Sequence, residues 1–199
     1  MTSPTSKRLA AVVLAAGSSV RLGRPKQLVD WRGKALVRHA AELAMECSSA
    51  GVTVVTGAET EQVAAALQGL HLSLAYNRDW ETGMGSSLTA GIRSLSDSAG
   101  IDGLLVMLCD QPRLTYADIV PLLEVWKIHP DKPSAAGYNN IVGVPAIIPF
   151  GLLNELAELP ADSGAGGWLR SRSDIRVVDM PNAGLDIDTV EDLQKLLEE

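Results

Sequence analysis

Small residues followed by two cations, near the start of the chain, could bind an anionic ligand. The apolar run from Leu9 to Val13 is typical of a buried strand. The segment directly after it consists mostly of small residues, namely Leu14, Ala15, Ala16, Gly17, Ser18 and Ser19. Such residues let the backbone turn tightly and approach a ligand closely, while Arg21 and Lys26 place two cations beside backbone N–H groups. The pattern predicts a polyphosphate-binding loop; a Gly/Ser turn with solvated basic residues is the structural alternative.

The spacing of this loop excludes two common phosphate-binding motifs. In the Walker A loop a Ser or Thr follows the lysine, but Gln27 follows Lys26 here and the second glycine is wrongly spaced. The dinucleotide-binding pattern GxGxxG is absent from the loop as well. The ligand is therefore expected to be a polyphosphate held by another kind of loop.

Two carboxylate positions further along the chain could hold Mg²⁺. Asp110 directly follows the apolar run from Leu104 to Cys109, where an unpaired carboxylate would be costly to bury. Asp186 and Asp188 alternate along an extended segment, so they share one face, and Thr189 can cap the helix that follows. Because Mg²⁺ prefers one or two carboxylates together with phosphate oxygens and water, these positions predict a magnesium site. For Asp110, capping of the next helix is the structural alternative.

A second glycine-serine segment lies between Asn77 and Leu88 and could approach a nucleotide. Gly83 permits close contact, and Ser86 or Ser87 is expected to cap a helix that begins there. A Gly/Ser loop before a helix is common, so this signal is weak on its own. The segment contains no GxSxG nucleophile motif.

Length, composition and charge limit the class of protein. The chain has 199 residues, 46% of them hydrophobic, which fits one α/β domain with a substantial core. The formal net charge of −7 argues against nonspecific nucleic-acid binding. Cations nevertheless predominate between Arg21 and Arg38, which favours a small anionic ligand over a long polyanion.

The cysteines and the apolar runs bear on the cellular compartment. Cys47 and Cys109 have neither metal-ligand nor disulfide-framework spacing, so buried reduced thiols are expected. No apolar run reaches the ~18 residues that a membrane span requires. Lys7 and Arg8 before an apolar run resemble a short signal peptide, but the run is short and the basic loop follows at once. A cytoplasmic protein without membrane attachment is predicted.

Strand and helix patterns alternate along the chain, which predicts a doubly wound, mostly parallel sheet in one domain. Strands are expected at 9–13, 52–56, 72–76, 104–108, 134–136, 145–148 and 175–179. Helices are expected at 34–46, 59–67, 86–95, 115–128, 152–159, 164–169 and 189–197. Residues 1–8 are assigned to a flexible tail and residues 9–199 to the domain. In such sheets ligands bind beyond the carboxyl ends of the strands, where the Gly17 loop, the Asn77 loop and Asp110 all fall.

The motifs together resemble those of the MobA-like nucleotidyltransferases, and within that superfamily those of the molybdenum cofactor cytidylyltransferases. The first loop is similar to the signature L-A-A-G-x-S-x-R-x-G-x-x-K, Leu108 to Pro112 to L-x-D-Q-P, and Leu185 to Thr189 to D-I-D-T-P, with Val190 in place of the proline. Gly83 to Ser87 resembles the segment G-[MIL]-x-x-S, which contacts base and ribose in the family. The resemblance covers essentially the whole chain and implies a Rossmann-like nucleotidyltransferase fold.

The resemblance implies a reaction and a role for each motif. A CMP group would pass from CTP to a phosphate-bearing acceptor, molybdopterin in this family, with release of pyrophosphate. Arg21 and Lys26 would stabilise the leaving phosphates, while Asp110 and Asp188 would hold Mg²⁺. CTP is favoured because guanylyl relatives carry a second glycine where Ala16 stands. A molybdoenzyme would be a partner for the product.

The sequence departs from the family on the acceptor side, where Gln111, Pro112, Gly143, Asp162 and Gly164 are the candidate residues. The family segment G-x-x-G-H-P runs here from Asn140 to Pro145 without its first glycine and its histidine. The segment G-D-x-G-A-R runs here from 161 to 166 without its first glycine and its arginine, and Gly166 stands at the arginine position. These losses leave the acceptor open.

Two other functions and one structural alternative follow from these departures. The acceptor could be a sugar or polyol phosphate, or the protein could be a nucleotide-binding maturation partner without turnover. Trp168, close to the second departure, could pack against a flat heterocycle or fill the core. A basic residue contributed by the acceptor loops would distinguish these functions.

Overall fold

A computed structural model of the protein describes residues 7–95 and 100–198. Residues 1–6 of the expected tail lie outside the described residues. Arg8 is hydrogen-bonded through its backbone, since its N–H donates to Asp102 Oδ2 (2.7 Å) and its carbonyl accepts from Asp102 N (2.8 Å). Within the described ranges, no helix combines the length and apolar character needed to cross a membrane.

Seven strands form the central sheet, in the order β5-β4-β1-β6-β8-β7-β9. They are β1 (Leu9–Leu14), β4 (Val52–Thr56), β5 (Ser73–Tyr76), β6 (Gly103–Leu108), β7 (Ser134–Tyr138), β8 (Ile141–Pro149) and β9 (Arg176–Asp179). A separate hairpin joins β2 (Asp30–Trp31) to β3 (Lys34–Ala35). The pairs within β5-β4-β1-β6 and the pair β7-β9 are parallel, while β8 is antiparallel to both of its neighbours. The expectation of a mostly parallel, doubly wound sheet is confirmed.

Helices cover both faces of the sheet. They are α1 (Leu36–Cys47), α2 (Thr60–Ala66), α3 (Met84–Arg93), α4 (Tyr116–Ile128), α5 (Leu153–Ala157), α6 (Ala165–Ser171) and α7 (Val190–Leu197). Because side chains alternate along a strand, β1 feeds two cores. Leu9, Ala11 and Val13 pack with α1 and α4, whereas Ala10, Val12 and Leu14 pack with α3, α5 and α6. Burial on both faces explains why β1 is apolar throughout.

The start of α3 differs from the sequence prediction. The helix begins at Met84 with Gly83 as its N-cap residue, so capping by Ser86 or Ser87 was wrong. Gly83 has φ of +129°, and a Cβ there would lie 2.7 Å from the Ala161 carbonyl oxygen. Only glycine fits this position, and that tertiary contact sets the boundary. The expected helix starts after Thr115 and Thr189 are confirmed, each with a capping box.

A tight turn joins two strand segments that the sequence indicated separately. Asn139 and Asn140 both have positive φ, 48° and 60°, and they connect β7 to the antiparallel β8. Two successive left-handed residues suit a two-residue hairpin, and asparagine tolerates them better than most residues. The turn places Tyr138 and Gly143 on adjacent strands beside the acceptor-side segments.

Candidate active site

The carboxyl ends of β1 and β6 open into a cavity of about 300 Å³. One wall is the loop from Leu14 to Ser18 together with Lys26 and Gln27. Trp80, Gly83, Met84 and Ser87 also line the cavity, as does the segment from Leu108 to Asp110. The three segments predicted to converge therefore line one space.

Lys26 joins the two aspartates that the sequence singled out. Its Nζ donates to Asp110 Oδ2 (2.5 Å) and to Asp188 Oδ1 (2.8 Å). Arg21 Nη2 donates to the other oxygen of Asp188 at 2.6 Å. Because one ammonium reaches both carboxylates, these groups are close enough to share one divalent ion. Their role as metal ligands stays a prediction.

The charges of this cluster perturb one another. Burial alone would lower the pKa of Lys26, but the charge and hydrogen bond of Asp110, followed by the bond to Asp188, raise it well above the ordinary range. Burial alone would raise the pKa of Asp188, but Lys26 and then Arg21 lower it. Lys26 is therefore a permanent cation and Asp188 a permanent anion near neutral pH.

The residues at this position fit a divalent cation. Asp110 is 6% exposed, and its Oδ1 is buried with no hydrogen-bond partner in the described part of the protein. Carboxylate oxygens are the hard donors that Mg²⁺ prefers. No group of three or more His, Cys, Asp or Glu side chains suited to a metal occurs within residues 7–95 and 100–198. The donor set thus matches an ion that would also take oxygens from a bound phosphate.

Gln27 fixes the shape of the first loop, a role that its position in the sequence did not indicate. It is 1% exposed, its Nε2 donates to the Gly17 carbonyl (3.1 Å), and its Oε1 accepts from Ser19 Oγ (3.3 Å). Ser19 Oγ also accepts from Lys26 N (3.0 Å), and Ser19 has φ of +56°. A left-handed serine is uncommon, so these bonds hold an unfavourable backbone conformation in place.

Trp80 lines the cavity next to the first loop, and it was also missed by sequence reasoning. Gly57, at the end of β4, lets it approach the first loop. A Cβ on Gly57 would lie 2.5 Å from the Ala16 carbonyl oxygen and 2.8 Å from Trp80 Cβ. The close packing of Ala16, Gly57 and Trp80 therefore depends on the missing side chain at Gly57.

Asn77 explains how the serines of α3 are held. Asn77 Nδ2 donates to Ser86 Oγ (2.8 Å) and Ser87 Oγ (3.0 Å), and its Oδ1 accepts from Asp79 N (3.0 Å). Asn77 and Ser87 are both buried. These bonds orient Ser87 at the cavity wall instead of capping the helix.

Two acceptor-side candidates, Asp162 and Gly164, lie directly against Gly83 and Met84 at the start of α3. A Cβ on Gly83 would lie 2.8 Å from Asp162 Cα, and a Cβ on Gly164 would lie 3.0 Å from Met84 Sδ. Ser86 N also donates to the Ala161 carbonyl at 3.2 Å. Asp162 is exposed, and Gly164 is the N-cap residue of α6. The candidate acceptor segment, residues 161–164, thus contacts the start of α3, which lines the cavity.

The remaining acceptor-side candidates, Gln111, Pro112 and Gly143, do not line the cavity at the ends of β1 and β6. Gln111 Nε2 donates to the carbonyls of Val144 (3.1 Å) and Ala183 (2.6 Å), so it links β8 to the segment that leads to Asp188. Pro112 is buried and lines a different cavity, beside Trp31. Gly143 lies on β8, where an added Cβ would be 2.6 Å from Tyr138 Oη.

Asp186 and Trp168 each have a defined environment. Burial and then the neighbouring carboxylates of Asp110 and Asp188 raise the pKa of Asp186. Trp168 Nε1 donates to Glu155 Oε2 (3.1 Å), and Arg172 lies 4.7 Å above the ring centre. The partly buried indole also packs against the core under α6, as the structural alternative expected.

The fold and the polar cluster define a nucleotidyltransferase of the Rossmann-like type. The family described as the MobA-like NTP transferase domain matches residues 11–176, and the chain belongs to that family. The family resemblance of the sequence is confirmed.

Two curated relatives have different stated activities. "Nicotine blue oxidoreductase" of Paenarthrobacter nicotinovorans is 34% identical over 198 residues, which cover 94% of this chain and 95% of that protein. A "probable molybdenum cofactor guanylyltransferase" of Bacillus mycoides is 28% identical over 117 residues, which cover 59% of this chain and 56% of that protein. The family is thus clear, while the relatives differ in chemistry.

Two solved structures are similar along nearly the whole chain. A homologue of Mycobacterium tuberculosis Rv0371c from Mycobacterium sp. strain JC1 is 30% identical, with a TM-score of 0.82 and 96% coverage of each chain. Rv0371c of M. tuberculosis in complex with manganese is 25% identical, with a TM-score of 0.78 and coverage of 97% of this chain and 100% of that one. The second shows that a structural neighbour binds a divalent ion.

Proposed function

We propose that the protein transfers CMP from CTP to the phosphate of a small acceptor, molybdopterin being the favoured one, and releases pyrophosphate. The observation that carries this proposal is the Lys26 ammonium held between Asp110 and Asp188 at the mouth of the cavity. A cation and two carboxylates at one point can serve both a polyphosphate and the divalent ion that accompanies it.

In this reaction an oxygen of the acceptor phosphate attacks the α-phosphorus of CTP. One P–O bond forms there as the bond between the α-phosphorus and the bridging oxygen breaks, and that oxygen leaves with pyrophosphate. The attacking phosphate is already anionic, so no dedicated base is needed. Lys26 and Arg21 balance the charge that accumulates on pyrophosphate, and Gln27 keeps the loop backbone oriented toward the phosphates.

Asp110 and Asp188 would hold Mg²⁺ in this proposal. Bound there, the ion would supply positive charge to balance that of the phosphates. Lys26 occupies both carboxylates in the free protein, so it must release at least one of them when nucleotide and metal enter. Its long flexible side chain can then move to the phosphates.

The base preference rests on Ala16. It lines the cavity, and its carbonyl oxygen lies beside Gly57, which also packs against Trp80. A methyl group at position 16 leaves less depth for a base than a glycine would. One methyl group discriminates by about 1–3 kcal/mol, which gives CTP an advantage of roughly ten- to hundredfold over GTP. Calorimetry with each NTP and Mg²⁺ tests this, and Ala16→Gly should reduce the CTP advantage. Tighter binding of GTP than of CTP by the parent protein would overturn the cytidylyl assignment.

Molybdopterin is favoured as acceptor by the family, which includes the guanylyltransferase relative described above. A molybdoenzyme that accepts the product is a proposed partner. A cytoplasmic location belongs to the same proposal, because Cys47 and Cys109 are free thiols and the substrate is an NTP. Pyrophosphate release with molybdopterin and with sugar or polyol phosphates identifies the acceptor. Binding of NTP without release for any of them would indicate the non-catalytic alternative.

Redox chemistry is the second candidate, because the relative that is 34% identical along 94% of this chain is named an oxidoreductase. The same cavity could then hold the nucleotide portion of a reduced nicotinamide cofactor that donates hydride to a heteroaromatic substrate. Oxidation of NADH or NADPH in the presence of nicotine blue, followed by absorbance, tests this candidate. Cofactor oxidation without pyrophosphate release in the parallel assay would favour it over nucleotidyl transfer.

A further inference from the structure

Arg170 lies one helical turn after Gly166, the position at which the acceptor-side motif lacks its arginine. Gly166 stands in α6 where the family pattern has arginine. A Cβ built on Gly166 would meet Arg170 Nη1 at 3.0 Å, with Cζ at 3.8 Å and Nη2 at 3.9 Å. The guanidinium of Arg170 therefore lies over the backbone from which a side chain at 166 would extend.

Helix geometry explains this arrangement. Cα–Cβ bonds tilt toward the helix N-terminus, and long side chains lie over the preceding turn. Residues 166 and 170 are four apart, so they share one face of α6. Because Gly166 has no side chain, nothing prevents Arg170 from lying back across it.

Arg170 is also available for an anion. It is exposed, and its Nη1 donates weakly to the Val142 carbonyl on β8 at 3.3 Å. In the described part of the chain no ion pair engages it. Arg172, two residues on, differs, because Glu155 (2.7 Å) and Asp174 (2.9 Å) both neutralise it.

The surroundings of Arg170 lead toward the reacting centre. Val142 precedes Gly143 on β8, and Gly143 contacts Tyr138 on the neighbouring strand. Burial and then the carboxylates of Asp186 and Asp110 raise the pKa of the Tyr138 phenol, while the charge of Arg170 opposes them. Two residues beyond Val142 on β8, the Val144 carbonyl accepts from Nε2 of Gln111, which directly follows Asp110, so β8 connects the Arg170 contact to the aspartate cluster.

We propose that Arg170 binds the phosphate of the acceptor, in place of the arginine that Gly166 does not supply. This inference rests on the proposed nucleotidyl transfer to a phosphate-bearing acceptor, and it names the residue that gives the acceptor its selectivity. Arginine matches a phosphate through paired N–H donors. The acceptor class is therefore a phosphomonoester and not a neutral alcohol.

The test compares Arg170→Gln with a charge-matched control, Arg172→Gln, and with the relocated cation Gly166→Arg/Arg170→Gln. Gly166 has no positive φ, and its closest neighbour is the mobile end of Arg170, so an arginine side chain fits there once residue 170 is shortened. Each protein is loaded with Mg²⁺ and a non-hydrolysable CTP analogue. Molybdopterin and its dephosphorylated form are then titrated anaerobically by calorimetry, and KM and kcat are measured with CTP.

Arg170→Gln should weaken binding of molybdopterin about 10- to 100-fold, the range of a lost charge-assisted phosphate contact, and leave the dephosphorylated form unchanged. The KM for the acceptor should rise while the KM for CTP stays constant. Arg172→Gln should match the parent, and the double variant should recover most of the loss. Equal binding of molybdopterin by Arg170→Gln and the parent, or no recovery in the double variant, overturns the role of Arg170.

The proposed function can fail separately from this inference. If the parent protein binds phosphorylated and dephosphorylated molybdopterin equally and releases no pyrophosphate, the acceptor class is wrong. If the parent prefers the phosphorylated form and Arg170→Gln keeps that preference, the proposed function stands and Arg170 is excluded.

Discussion

Replacement of Lys26 by methionine should slow transfer and at the same time tighten binding of the bare metal ion. In the free protein the ammonium is bonded to Asp110 and Asp188, so a divalent ion must compete with it for the same oxygens. During transfer the ammonium is needed by the leaving pyrophosphate. Methionine keeps most of the side-chain volume and removes only the charge.

The size of each effect follows from the burial of the cluster. The Lys26 side chain is 21% exposed and that of Asp110 is 8% exposed, so their hydrogen bond is only partly screened. A hydrogen bond to a charged group contributes about 1.5–3 kcal/mol, and solvent at Lys26 favours the lower half of that range. Loss of this competition should tighten metal binding about tenfold. Loss of one donor to developing charge should lower kcat about 10²–10³-fold.

The metal-free variant should also be less stable than the parent. Without the ammonium, the buried carboxyl group of Asp110 loses its ion pair with Lys26. Removal of one partner of a buried pair costs about 3–5 kcal/mol, and the partial exposure of this cluster lowers the expected cost to about 2–3 kcal/mol. Mn²⁺ should restore much of this loss, because it supplies the missing positive charge.

Mn²⁺ binding without nucleotide, measured by calorimetry or electron paramagnetic resonance, checks the first effect, and urea unfolding with and without Mn²⁺ checks the second. Lys34→Met is the control, since it removes the same charge from a solvated pair with Glu42. Mn²⁺ affinity equal to or weaker than that of the parent in Lys26→Met, with the fold intact, would refute the competition between ammonium and metal.

Three further predictions concern the site and the two buried thiols. Asp110→Asn and Asp188→Asn should each reduce transfer by at least about 10²-fold in a pyrophosphate-release assay with an unchanged circular dichroism spectrum, and near-parental rates would remove them from the metal site. Gly17→Val should keep the melting temperature but abolish NTP binding by calorimetry, because an added Cβ meets nothing within 4 Å in the free protein yet extends from the cavity wall. Burial, followed by a nearby carboxylate, raises the pKa of Cys47 and of Cys109 to about 12 each. At pH 8 both native thiols should therefore react with a disulfide reagent at least about 10³-fold more slowly than after unfolding, and fast native modification would contradict their burial.

The elements that the sequence predicted well are those in which local pattern and tertiary position agree. The uniformly apolar β1 and β6 could only be central strands, and their carboxyl ends fixed where Gly17 and Asp110 must lie. The start of α3 could not be predicted in this way, because the contact of Gly83 with the Ala161 carbonyl decides it across a long separation in sequence. Serine propensity for helix caps was overridden there by packing.

Some residues of the site could likewise be predicted from sequence motifs, whereas others could not. Asp110 was visible because a carboxylate directly after an apolar strand is costly without a partner or ligand, and Lys26 was visible because it follows the small residues of the first loop as a cation. Gln27 and Trp80 were not visible, since a glutamine that bonds a backbone carbonyl and a tryptophan that lines a cavity have no characteristic spacing. Their roles depend on distances between segments that only the folded chain defines.

Position 166 shows why comparing a sequence with a family motif one residue at a time can miss a cation that another residue supplies. The alignment of motifs compares Cα positions, but an acceptor phosphate would meet the end of a side chain. Arginine is long enough to carry its charge back over one helical turn, and the Cα–Cβ direction in a helix favours that path. The substitution of glycine at 166 removes a cation from the sequence motif, while Arg170 Nη1 lies 3.0 Å from the point where a Cβ at 166 would stand. Selectivity for a phosphate should therefore follow the position of the guanidinium and not the position of the residue, which is the outcome that Gly166→Arg/Arg170→Gln measures.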